Sequence, residues 1–354
     1  MKRSSRWSSI SSKVVVALIA TVTLNAQSVR VPRARLIPAT RITLPGEVDS
    51  SNPAIWSLVD GTRRLFVFSS WGGVPTRSSG AAVNALRLDG DVRFGRHPGH
   101  GVWIESIVPD AAGTLYAYYH HERAADLCGR PDRQLPSIGA LRSSDHGLTW
   151  DDLGIILDAP AGSEACDSLN RFVLGGVGDV TAVLDAASQD LYLYFSQYSR
   201  EPSVQGVAVA RLAWADRDAP VGKVMVWRDG VWLPDARIFG TPLVGASQPF
   251  HDRDAASNVF WGPSIHWNTY LNQYVMLLNR AKNDQFDQDG IYVSYSPTAS
   301  DPARWTTPMK IWHGGGWYPQ VVGTEIGTGT DRQAGKRARF FMTGRSDRVI
   351  DFER

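Results

Sequence analysis

Five segments of this chain read alike: each opens with residues able to start a buried strand, turns, and returns as an aromatic-rich strand ending in polar residues. They span residues 52–70, 103–121, 179–197, 261–280 and 317–345, and their second halves align as RRLFVFSS, TLYAYYHH, DLYLYFSQ, QYVMLLNR and ARFFMTGR. Repetition at spacings above roughly 40 residues is the mark of a β-propeller rather than a two-layer fold. The expected fold is therefore all-β, a propeller of five blades. With 43% hydrophobic and 20% charged residues, the 354-residue chain has the composition of a folded globular protein.

The repeat sets a register. Blade one takes residues 52–56, 64–70, 82–88 and 92–94; blade two takes 103–108, 114–121, 138–143 and 150–157. Blade three takes 179–184, 190–197, 206–213 and 223–227, and blade four takes 261–267, 273–280, 290–296 and 305–311. Blade five supplies only 317–322, 338–344 and 348–352. Its missing strand is expected from residues 35–44, which alternate as Thr40-Arg41-Ile42-Thr43-Leu44. That closure would join the two ends of the chain and remove an open sheet edge. No stretch is long enough for a sixth blade. Insertions are expected at 124–136, 159–178, 230–257 and 327–336, the first three on one face, where insertions shape pockets.

The N-terminus carries Lys2, Arg3, Arg6 and Lys13, an apolar run over 14–24, and Ala26 before Gln27. This pattern reads as a secretory signal peptide over 1–26, with the propeller over 27–354 and a secreted or periplasmic location. An uncleaved anchor is the competing reading, although the run is short for a bilayer. Those four basic residues, with no acidic one in the segment, turn a net charge of +2 into −2 once it is removed. A near-neutral mature chain offers no electrostatic footprint for nucleic acid or a membrane surface. The expected partner is a carbohydrate, and the chain is expected to act as a monomer. The two cysteines, Cys128 and Cys166, fall in loops on one face, and an exported chain favours their pairing over two free thiols.

Residues 143–150, Ser-Ser-Asp-His-Gly-Leu-Thr-Trp, match the Asp-box pattern S-x-D-x-G-x-T-W, and 294–305 hold a looser relative. The pattern specifies a turn: Asp bonds nearby amides, Gly accepts positive φ and Trp packs the hairpin. It links the third and fourth strands of blade two, away from the expected pocket. At the other face the starts of the inner strands bring Asp49, Asn52, Glu105, Asp179, Trp261, Trp317 and Tyr318. The ends of the second strands add Trp71, His120, His121, Glu122, Gln197 with Tyr198, Asn279, Arg280 and Arg345. His120 and His121 must point to opposite sides of their strand. Carboxylates, amides and aromatic faces converging on one axis suit a sugar, and paired carboxyls suit cleavage of a glycosidic bond. Each acid alone also has a structural reading, as a turn cap, an Arg partner or a strand-start acceptor.

Asp284, Asp287 and Asp289-Gly290 share a loop but do not follow the D-x-[DN]-x-[DN]-G calcium pattern, so a solvated turn is favoured over a metal site. No Cys/His pattern suggests zinc, and no G-x-S-x-G or phosphate loop is present. No cofactor is expected.

With this repeat and these acids, the chain resembles the five-bladed propeller glycoside hydrolases of families 43 and 32. The resemblance implies an Asp on the first inner strand, here represented by Asp49 just before Asn52-Pro53, and an Asp on a later one, matched by Asp179. The Trp261-Gly262-Pro263 segment looks like the family's Glu-Gly-Pro with the acid replaced by Trp. Glu105 or Glu122 would then supply the missing acid, or the protein binds sugar without cleaving it. Sialidases also carry Asp-boxes and read a carboxylate with three arginines; Arg280, Arg345 and either Arg77 or Arg123 count toward such a set, but the first-blade Arg-Ile-Pro is absent. The reading is a glycoside hydrolase in which Asp49, Glu105 and Asp179 share the acid, base and pKa-tuning roles, with Glu122 in reserve. A protein-docking propeller is the third alternative.

Overall fold

The aromatic strands of the repeat are buried on both sides: Leu115–His121 at every position, Asp190–Gln197 at all but the first. A second strand packed between two neighbouring sheets has no polar face to present, so alternation disappears where the aromatics stand. The structure is a computed structural model that describes residues 31–99, 101–123, 126–185, 187–248 and 257–354. The expected export segment lies outside the described residues, as do Ala124 and Ala125 of the first insertion and residues 249–256 of the third.

Among the described residues the strands form five main sheets, one per repeat, confirming the five-bladed propeller. Their inner strands are Ala54–Val59, Val102–Pro109, Val177–Asp185, Phe260–Asn268 and Gln320–Gly323. Blade five is completed by Arg33–Thr43, antiparallel to Arg345–Glu353 from Arg33↔Glu353 to Thr43↔Arg345. The expected closure is thus formed, with one irregularity between Pro38 and Ile42.

Blade one departs from the expected register. Its third strand is Val74–Gly80 and its fourth is Leu86–Asp91; residues 83–85 form a 3-10 turn between them. The polar run Thr76-Arg77-Ser78-Ser79 carries no hydrophobic pattern, and only pairing with the aromatic second strand makes it a strand. Residues 92–94 do not close blade one. Arg93–Arg96 instead joins the edge of blade two, parallel to Thr149–Leu157. Blades three and four also gain a fifth strand each, Val231–Leu233 and Gln333–Ala334.

The core is divided by blade interface. One cluster joins blades one and two around Phe68, Tyr119 and Trp150; another joins two and three around Tyr118, Leu193 and Phe195. Tyr194 and Met276 centre the next, Tyr295 and Phe340 the fourth, and Leu44 with Phe341 the fifth. Burying each large side chain contributes roughly 1.5–3 kcal/mol. Stability is therefore distributed around the ring.

Polar ties repeat with the blades. Ser70, His120, Ser196 and Asn279, at or next to the ends of second strands, each accept a backbone N–H from the next inner strand or the residue leading into it: Ile104, Asp179, Gly262 and Tyr318. Gln320 and Asn52 bond across the last junction, Asn52 N donating to Gln320 Oε1 at 2.6 Å. The 143–150 turn is held by Asp145 Oδ1, which accepts from Leu148 N, Thr149 N and Ser143 Oγ, while the Trp150 indole donates to Gly147 O.

Candidate functional site

Inner strands bulge where they reach the axis. Pairing skips Glu105 between Ile104 and Ser106, and skips Asp179 between Gly178 and Val180. A bulge leaves one residue unpaired and re-aims its side chain, and both skipped residues are acids. Asp179 holds φ at +44°, a costly conformation for a non-glycine residue and one that clusters at functional sites. In blade four the irregularity falls on Gly262 and Pro263, with Gly262 at φ +58°.

Glu105, His120 and Asp179 each bring one oxygen or nitrogen within 4.8 Å of the others. Glu105 is 4% exposed and accepts Val180 N–H at 2.6 Å. Burial, then the Asp179 charge, pushes its carboxyl well above the usual range. Asp179 is raised by burial too; Tyr198 donates its hydroxyl to Asp179 Oδ2. His120 Nε2 meets Glu122 Oε1 at 3.2 Å, and its Nδ1 lies 3.2 Å from Asp179 N and 3.8 Å from Asp179 Oδ1. A neutral Nδ1 serves the amide, and a protonated one serves the carboxylate. Burial opposes charge on the ring, but Glu122, Asp179 and Glu105 outweigh it and raise its pKa to about 9. The ring can sit so close because Gly178 has no side chain: a Cβ there would lie 2.3 Å from Nδ1.

Beside these groups lies a cavity of about 110 Å³. Asp49, Glu122, Asp179 and His120 line it together with Phe172, Tyr198, Trp261, Phe286, Trp317 and Tyr318. Asp49 is half-buried; burial raises its pKa, with help from Asp179 and Glu122. The aromatic side chains meet edge to face, Trp261 with Phe286 at 5.1 Å and with Trp317 at 5.8 Å between centroids, which fixes the walls. Trp317 Nε1 donates to Phe286 O at 3.0 Å.

Of the residues expected at the axis, Asp49, Glu122, Asp179, His120, Tyr198, Trp261, Trp317 and Tyr318 line this cavity, and Glu105 lies beside it. The others do not. Asn52 is tied to Gln320, Phe68 O and Ser69, and Asn279 braces Gly316 O and Tyr318 N. Gln197 holds the third insertion through Gly240 and also donates to Val204 O. His121 packs edge-on to Tyr119, and Arg280 meets Tyr292 and Asp289. Arg345 and Trp71 are exposed. Three of them, His121, Gln197 and Arg280, share one cause: each stands one position past the residue that ties to the next blade, and strand alternation turns it away. Arg345 lies past a turn and opens the third strand of blade five. Phe172, Val173 and Phe286 were not expected: the first two come from an insertion, and Phe286 from the loop between the second and third strands of blade four, all outside the repeated strands.

Cys128 and Cys166 are bonded, with Cα atoms 5.4 Å apart. The acidic loop is internally bonded: Asp289 binds Lys310 at 2.9 Å, Asp287 accepts from Asn283, and Asp284 from Gln285. In the Glu105–His120–Asp179 group, Val180 N–H, Asp179 N–H and the Tyr198 hydroxyl already engage one atom of each residue.

No protein-family model matches the chain, and no curated protein matches it by sequence. Solved structures similar to it include an endo-arabinase from Bacteroides thetaiotaomicron, at 12% identity over 87% of this chain and 96% of that one, with a TM-score of 0.54. A thermostable family-43 glycoside hydrolase matches at 12% identity over 88% and 92%, TM-score 0.49. An arabinanase from Bacillus subtilis matches at 10% identity over 88% and 95%, TM-score 0.49. The first of these likenesses extends the five-bladed fold to nearly the whole length of both chains.

Proposed function

We propose that this protein is an exported glycoside hydrolase that cleaves a glycan in the axial cavity, using carboxyl groups of different acidity. The observation that carries the reading is the meeting of Asp49, Glu122 and Asp179 in one aromatic-walled cavity, with Glu105 behind them. Glycosidic cleavage needs one carboxyl that keeps a proton for the leaving oxygen and one that stays ionised to act on water or the sugar. Asp49, raised by burial and by two neighbouring acids, suits the proton donor. Glu122, bonded to His120, suits the base. Asp179 and Glu105 form the buried pair that sets the charge of His120, and the aromatic faces hold the ring. The similarity in fold to an endo-arabinase adds a polymeric sugar as the first substrate to try.

The test is a hydrolysis screen of the mature protein on plant and bacterial glycans, then on Asp49→Asn, Glu122→Gln, Asp179→Asn and Glu105→Gln variants. Turnover should fall by at least about a hundredfold in the first two, the usual size of a lost acid or base. Unchanged turnover in both would end this assignment. A sugar-binding propeller without catalysis is the second reading, favoured by Trp261 at the place where the resembled enzymes carry Glu. It requires affinity for a glycan with no product released, lost on Trp317→Ala and kept in the acid variants.

A further inference from the structure

Where blade five meets blade one, the ring holds a second cleft, of about 600 Å³. Tyr318 of the axial cavity stands just before the inner strand Gln320–Gly323, and Gly323 lines the cleft at the other end of that strand. The apolar surface of the cleft comes from Ile42 of the closing strand and from Trp56, Leu65, Val83 and Leu86 of blade one. Its charges are Arg41 and Arg339, and no Asp or Glu is among its described lining residues.

Among the described residues Arg339 is the only buried Arg or Lys, at 8% exposure. A guanidinium keeps its proton at any ordinary pH, so this charge is fixed. Taking it out of water is costly unless an anion compensates it. Arg339 nevertheless forms no ion pair among the described residues, whereas Arg77, Arg211 and Arg217, each less buried, all meet an Asp. Asp347, the carboxylate whose charge Arg339 feels, is 54% exposed and pairs with Arg348 at 3.7 Å.

The backbone accounts for part of this placement. Pairing of the closing strand breaks between Pro38 and Ile42, and there Arg339 Nη2 donates to Thr40 O at 2.6 Å and to Ser346 O at 2.9 Å. That duty occupies one nitrogen and needs a donor, not a charge. Nε is enclosed; Nη1, which is not, has no partner among the described residues and is the nitrogen left for a ligand in the cleft.

We propose that this cleft binds a small organic acid, its carboxylate on Arg339 Nη1 with Arg41 as the second cation, and its apolar body against Trp56, Leu65, Val83 and Leu86. The site does not depend on the reading of the axial cavity. A carboxylate forms charge-assisted hydrogen bonds with a guanidinium, and an apolar cleft with a few polar groups is the usual form of a small-molecule site. A neutral compound of the same shape leaves the buried charge unmatched, and a bare anion leaves the apolar walls against water. Because the cleft joins the closing strand to blade one, an acid bound there favours the closed ring over the unfolded chain.

Calorimetric titration of the mature protein near pH 7 with hexanoate, phenylacetate and naphthylacetate, each beside its amide, and with inorganic phosphate tests this. At least one acid should bind about tenfold or more tightly than its amide and than phosphate, and should raise the melting temperature. Arg339→Gln should abolish the preference for the acid while leaving the affinity for the amide within about twofold. Arg41→Gln changes an exposed side chain and spares the bonds to Thr40 and Ser346, so it decides the matter if Arg339→Gln does not fold; it should reduce the preference severalfold. Trp317→Ala, in the axial cavity, should leave binding of the acid unchanged. The proposal is overturned if no acid binds more tightly than its amide, if phosphate binds as tightly, if the preference survives both arginine variants, or if Trp317→Ala removes it.

Discussion

At the scale of single residues, His120 links the blade framework to the acids. It occupies the position where Ser196 and Asn279 merely accept an amide from the next blade, so its place is structural, but its ring also faces Glu122 and Asp179. A pKa raised from 6.5 to about 9 means that the folded state holds the ring proton more tightly than the unfolded chain. That contribution to stability is complete below about pH 6.5 and is lost as pH rises through about 9, on the order of 3 kcal/mol in all. The raised carboxyls of Asp49, Glu105 and Asp179 act with the same sign at lower pH, from the ordinary carboxylate range upward. The melting temperature should therefore fall between pH 6.5 and 9, and His120→Gln should flatten that fall; a wild-type profile level over this window, or a variant with the same slope, removes His120 as the cause. In the sequence this residue was visible as one of two adjacent histidines, and alternation told that only one could face the axis. The same parity argument, carried to the equivalent positions, would also have turned Gln197 and Arg280 away, whereas Arg345 lies past a turn on the third strand of its blade.

Elements explain what parity could not. The bulges at Glu105 and Asp179 leave no mark in hydrophobic pattern, because one unpaired residue shifts the phase of a strand without changing its composition. The part of the lining that comes from loops was equally hidden. Phe172 and Val173 stand in an insertion with no counterpart in other blades, and their placement depends on bonds that the repeat does not encode. Gln134 N donates to Phe172 O at 2.9 Å, Leu174 N donates to Gln134 O at 2.8 Å, and the Cys128–Cys166 bond joins the same two loops. Closing 38 residues of chain stabilises the fold by roughly 4 kcal/mol if the effect is entropic, and measured values for disulfides are commonly about 2–4 kcal/mol. Replacing both cysteines with serine should cost about that much in denaturant unfolding. Ligand affinity should also weaken, because Phe172 loses its anchor. An unchanged affinity beside a lowered stability would show that the wall is held by its hydrogen bonds alone.

For the whole molecule, the count of blades and the closure were readable because each blade must bury two faces and so repeats its aromatic strand. Blade one was misread where burial carries no hydrophobic signature, over the polar strand Val74–Gly80. Closure is the step on which the ring depends. Arg33–Thr43 covers the edge of Arg345–Glu353, Leu36 packs on the cluster between blades four and five, and Leu44 fills the one between blades five and one. A mature chain shortened to begin at residue 45 would expose a long strand edge and open the last interface, and edges of that kind pair with other chains. It should elute as aggregate, well ahead of the chain that begins at residue 27. The point variant Leu44→Ala keeps the strand and empties its buried anchor, so it should fold and lose about 2–5 kcal/mol. If the shortened chain stays monomeric with an unchanged melting temperature, the ring is held by its other four interfaces, and the pairing of the two chain ends is an ornament of the fold rather than its lock.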